Sequence, residues 1–152
     1  MQDRFKFRGL SKGKWYYGAY FKHLPYTPYC CGGEPPEKDY KHLIIQEGFS
    51  DWGLPRSMTC IEVEKDTVGQ CTGLKDKNGK LIYEGDIIKI PDDWGEYGMM
   101  AGEKREIFFN KSGFRLKPKL CKNVCGYWLE DTKDFEVIGN IYENKELLEC
   151  EG

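Results

Sequence analysis

Three carboxylates, Asp76, Glu84 and Asp86, lie close together in the sequence, and a chain reversal would bring Glu84 and Asp86 to one face. Carboxylates so placed can do acid–base work or hold Mg²⁺. The competing role is structural: an aspartate opening a turn accepts hydrogen bonds from its own backbone, and one at a bend caps it. That role already accounts for Asp76 and Asp86. The only imidazoles are His23 and His42, and neither sits beside a Ser or Cys in a nucleophile elbow, so both read as solvated. No phosphate-cradling loop, dinucleotide fingerprint or metalloprotease motif occurs. The sequence predicts no enzyme and no cofactor.

Thiols are the other reactive groups. The chain has 7 cysteines, an odd number, and its start, MQDRFKF, lacks the apolar core of a secretion signal. Cys30 and Cys31 are adjacent, with His23 and His42 to either side, and Cys121 and Cys125 stand four apart. A structural zinc site shows paired CxxC-type knuckles, and none is present. The expectation is reduced thiols acting as small hydrophobes, with no metal.

Charge offers a binding chemistry. Net charge is −2 with 32% charged residues, so bulk charge names no polyanionic partner. Its placement is uneven. Arg4, Lys6 and Arg8 alternate with Phe5 and Phe7, and Arg115, Lys117 and Lys119 alternate with Phe114, Leu116 and Pro118. On strands each set would form a row of cations about 6.5–7 Å apart. Beside Trp15, Tyr16, Tyr17, Tyr127 and Trp128, such rows could follow a phosphate backbone and stack bases. The plainer reading is two half-buried strands with a solvated face, and the acidic Asp92, Asp93 and Glu96 would repel a nucleic acid. A third chemistry is protein recognition: Trp94, Tyr97, Met99 and Met100 in a long loop could contact a protein partner or a second copy. The same side chains could also fold back over a barrel mouth.

The elements that must position these groups read as mainly β, with 18 glycines and 14% aromatics. Strands are expected over Arg4–Arg8, Lys14–Phe21, Lys41–Glu47 (or a short helix there) and Met58–Glu64, with an irregular loop over Pro25–Pro36. Asp76-Lys77-Asn78-Gly79 reads as a hairpin turn of type I′, because Asn-Gly tolerates positive φ at both positions. Leu81–Tyr83 follows as a short strand, Gly85 as a corner, and Ile87–Ile90 as a strand. After the Pro91–Gly102 loop come strands Glu103–Phe109, Phe114–Leu120, Tyr127–Glu130 and Phe135–Ile141. Asn144 is expected to cap a last helical turn through Leu148.

The stretch Gly69–Ile90, GQCTGLKDKNGKLIYEGDIIKI, together with EVIGNIYENKELL at Glu136–Leu148, resembles the signature of the YopX family. Thr67-Val68 also fits. Lys6–Arg8 with Lys14–Tyr17 resembles the family's opening strand and turn more loosely, and the Cys30–Pro36 region departs from it. The signature positions are Asp76, Asn78, Gly79, Tyr83, Glu84, Gly85, Asp86, Gly139, Asn140 and Tyr142, read as structural. The resemblance implies a phage- or prophage-encoded protein of Gram-positive or gut bacteria.

Taken together, these readings predict a β-rich N-terminal region over 1–68 and a C-terminal SH3-like small β-barrel over 69–152, with little helix. The expected function is a non-enzymatic accessory protein, a protein-interaction module or self-associating chain. The alternative is nucleic-acid binding through the basic strand faces. No run of 18 apolar residues exists, so no membrane contact is expected, and the protein is expected in the bacterial cytoplasm.

Overall fold

The computed structural model describes residues 2–26, 33–48, 50, 52–93, 101–118, 127–129 and 132–149. It is mainly β, and the only helical segments among the described residues are short 3₁₀ turns. No helix among the described residues is long and apolar enough to cross a membrane. The chain divides into two compact units, Phe5–Gln70 and Met1–Arg4 with Cys71–Gly152.

In the N-terminal unit, β1 (Phe7–Ser11) and β2 (Lys14–His23) form the expected hairpin, turned by Lys12 and Gly13 at positive φ. β3 (Lys41–Glu47) is a strand, not the alternative helix, and β4 (Met58–Glu62) pairs with it. The order is β4-β3-β2-β1, with the start of β5 (Gly69–Lys75) beside β1 through Gly69 and Gln70. Register places side chains strictly. Arg8 and Leu10 of β1, the odd residues of β2 and β3, and Met58, Cys60 and Glu62 of β4 share one face. The other face holds Gly9, Tyr20, His42, Ile44 and, just beyond β4, the buried Val63. Gly9 is required there, because a Cβ would stand 2.7 Å from a Val63 methyl.

The C-terminal unit continues β5 into β6 (Leu81–Tyr83) and holds an antiparallel sheet of order β10-β9-β8-β7-β11. Its strands are β7 (Asp86–Lys89), β8 (Lys104–Asn110), β9 (Gly113–Leu116), β10 (Tyr127–Trp128) and β11 (Glu136–Asn140). Ile82, Ile88, Ile90, Ile107, Leu116, Leu129 and Phe135 pack into one core against Leu74, Phe114 and Val137. Closure into a barrel is not seen among the described residues; β10 and β11 end the sheet.

Three local expectations change. Asn78 does not take positive φ; only Gly79 does, so the turn is a type I turn closed by a left-handed glycine rather than type I′. Arg4 lies in a 3₁₀ turn, Gln2–Phe5, because the strand starts only at Phe7. Asn144 does not cap Lys145–Leu148; its Oδ1 accepts instead from the Asn140 N–H at 3.3 Å.

Candidate functional site

Asp76 is held by the turn it opens. Its Oδ1 accepts from the N–H groups of Asn78 and Lys80, both at 2.9 Å, and its Oδ2 from Val137 at 3.1 Å. Burial pushes its carboxyl up, but the bonds from Val137, Lys80 and Asn78 outweigh that, and its pKa falls below the usual aspartate value. Asp86 is 1% exposed and accepts from the Tyr83 N–H at 2.8 Å. Glu84 Oε1 faces the N–H of Phe109 at 3.3 Å. Each of the three carboxylates therefore accepts a hydrogen bond from backbone N–H.

The other signature residues also hold the backbone. Gly85 sits at φ +81°, and its carbonyl accepts from Ile141 N–H at 2.9 Å. Asn140 Oδ1 accepts from the N–H groups of Tyr142 and Glu143, both at 3.0 Å. The Asn144 carboxamide lies close against Gly139, and the Tyr142 ring against Gly85. Tyr83 is buried, as is Asp86 three residues on.

Arg4, Lys6 and Arg8 do not form a row on one strand face. Arg4 is off the strand, and Lys6 is exposed just before it. Arg8 is buried, with its guanidinium carbon 4.8 Å from the centre of the Trp15 ring. In the second set, β9 ends at Leu116. Arg115 donates to Ser112 Oγ at 3.2 Å, and Lys117 pairs with Glu106 at 2.8 Å. Lys119 lies outside the described residues, as do Trp94, Tyr97, Met99, Met100, Cys30, Cys31, Cys121 and Cys125.

A cleft of about 520 Å³ in the C-terminal unit is lined by Lys77, Lys89, Asp92, Asp93, Asp134 and Glu136. Lys77 pairs with Glu136 at 2.7 Å, and Lys89 stands 4.0 Å from Asp92. Charged, open walls of this kind differ from the mostly apolar lining that holds small organic ligands.

Two arrangements were not foreseen. The first corrects the solvated reading of His42, which is buried. Its Nδ1 lies 2.7 Å from the Tyr20 hydroxyl, and its Nε2 lies 3.5 Å from Glu37 Oε1. Glu37 in turn pairs with Lys22 at 2.5 Å and lies 3.6 Å from Lys65. The Lys22 bond lowers the Glu37 pKa, and burial raises that of Tyr20, with Lys22 lowering it and Glu37 raising it. Tyr20 and His42 stand 22 residues apart, so only strand register shows the pair.

The second is the exposed face of the N-terminal sheet. Tyr17 (46%), Phe21 (52%) and Met58 (73%) project from it with exposed Cys60, beside half-buried Leu43 and Ile45. Tyr16, Tyr20 and Ile44 on the opposite face are as apolar as these, so alternation could not say which set points inward. Of the eight exposed large hydrophobics among the described residues, all but Phe109 belong to Phe5–Gln70. Among the described residues of that unit, the buried hydrophobics are Ile44 and Val63. So the described residues of this unit expose more large apolar groups than they bury. Charges on this face are matched: Lys41 with Glu62 at 2.7 Å, and Glu47 with Arg56 at 2.9 Å.

The family model described as YopX protein matches residues 37–149, and the chain belongs to that family. A crystal structure of protein EF1440 from Enterococcus faecalis is similar at 29% identity, covering 70% of this chain and 75% of that one, with a TM-score of 0.39. No curated protein matches the chain.

Proposed function

We propose that this YopX-family chain is a non-enzymatic protein-interaction module, and that it docks its partner on the exposed face of the N-terminal sheet. The carrying observation is that face: Tyr17, Phe21 and Met58 exposed on one side of β2 and β4, with Leu43 and Ile45 between them. Contiguous exposed apolar surface of this kind marks association sites. Its charges are already paired within the unit, so it carries no surplus cation row to attract a nucleic acid. The partner it fits is a protein whose own docking surface is apolar and uncharged.

The family resemblance supports the wider setting, an accessory role for a phage- or prophage-encoded protein in the bacterial cytoplasm. The Gly85 corner and the number of strands support relating the C-terminal unit to small SH3-like barrels. The test is affinity capture from host cells with the wild type, with Phe21→Glu plus Tyr17→Glu, and with Phe109→Glu as a control on the other unit. A protein retained by the wild type and the control, and lost with the double variant, is the expected result. Equal retention by all three would overturn the reading.

A further inference from the structure

The outer edge of β4 stands apart from the apolar face. β4 ends its sheet, with β3 its one strand neighbour among the described residues. The Val63 N–H donates to the His42 carbonyl at 2.9 Å, and the Ser57 carbonyl accepts from Gly48 N–H at 2.6 Å. Odd-numbered residues of this segment therefore turn their backbone groups toward β3. Met58, Cys60 and Glu62 turn theirs outward, because the direction alternates along a strand. Edges are ordinarily blunted by Lys, Pro, a bulge or a covering element. The strand Met58-Thr59-Cys60-Ile61-Glu62 carries no lysine, proline or glycine, and its pairing with β3 runs without a bulge.

We propose that β4 pairs antiparallel with β4 of a second copy of this chain, about a two-fold axis at Cys60. This goes beyond docking on the apolar face and does not depend on it. The edge is self-complementary. Cys60 faces its own copy as a hydrogen-bonded pair, and Met58 faces Glu62 of the other chain on either side. Those three pairs would exchange about six backbone hydrogen bonds. Like charges stay apart: the two Glu62 residues lie four strand positions from one another, about 13 Å, which exceeds the screening length at physiological salt. Each Glu62 also keeps its own Lys41. A two-fold contact of this kind closes on itself and stops at a dimer. It brings the Cys60 α-carbons to about 5.5 Å, within the span that a disulfide bridges.

The test is sedimentation under reducing conditions of the wild type, Cys60→Pro and Cys60→Lys. Proline at 60 removes an outward N–H and leaves every bond to β3 in place; lysine puts two cations face to face. The expected result is a dimeric wild type, with a dissociation constant at least tenfold lower than that of either variant, and variants that still melt cooperatively but at lower temperature, because association stabilises only the folded chain. If Cys60→Pro fails to fold, Cys60→Lys decides. A wild type that stays monomeric at high micromolar concentration overturns the proposal, as does a dimer that persists in the folded variants. Neither outcome bears on capture through Phe21, so the two readings fail separately.

Discussion

Replacing Asp76 with Asn alters one atom and breaks the tie between the β5–β6 turn and β11. In the native chain Oδ2 accepts from Val137, 61 residues away, while Oδ1 serves Asn78 and Lys80. Asparagine keeps a carbonyl oxygen for the turn but sets an NH₂ group against the Val137 N–H. A hydrogen bond to a charged group contributes about 1.5–3 kcal/mol, and leaving its buried donor unmet costs a similar amount. We expect Asp76→Asn to destabilise the C-terminal unit by about 2–3 kcal/mol. In a chain of this size that lowers Tm by roughly 4–12 °C. The pH dependence has a definite sign. The carboxyl pKa is depressed on folding, so its contribution is present above the unfolded aspartate value. It is lost as pH falls through the lower folded value. Urea melts at neutral pH and at successively lower pH, for the wild type and Asp76→Asn, read both effects. A neutral-pH difference under about 0.5 kcal/mol, or equal acid sensitivity, would refute the reasoning.

Other outcomes follow from the same geometry. Gly85→Ala forces a side chain into φ +81° and puts its Cβ 3.0 Å from the Tyr142 ring; a loss of about 1–2 kcal/mol should appear in melting. Tyr20→Phe strips the buried His42 Nδ1 of its hydroxyl partner and should cost about 1–2 kcal/mol by denaturant titration. The Tyr20 hydroxyl has a raised pKa, so its contribution holds below the unfolded tyrosine value and is lost as pH rises through the folded one. NMR titration of the ring should show one tyrosine ionising late, absent from Tyr20→Phe. Phe21→Glu should leave stability within about 0.5 kcal/mol, by thermal melting, while abolishing partner capture.

Much of the fold was legible because it is written locally. Asp76 to Gly79 announces a turn, Gly85 a corner, and Lys14–Phe21 a strand, each through its own dihedral preferences. β5 was harder, since Gly69, Gly73 and Thr72 interrupt its alternation. Its place is set by pairing with β1 and β6. The structural roles of Asp76 and Asp86 could be read, but the Val137 bond could not, being a contact between distant strands. The exposed face escaped detection because β2 and β3 are apolar on both sides, and which side a strand buries is decided by its neighbours. Arg8 misled for a related reason. Its guanidinium stacks on Trp15 across the hairpin, a pairing that register creates.

The central claim, that the N-terminal sheet docks its partner by its exposed face, is tested most directly by hydroxyl-radical footprinting of the purified protein and of its captured complex. Tyr17 and Phe21 should be labelled in the first and protected in the second, with Phe109 labelled equally in both. Labelling of Tyr17 and Phe21 that is unchanged in the complex would contradict the claim.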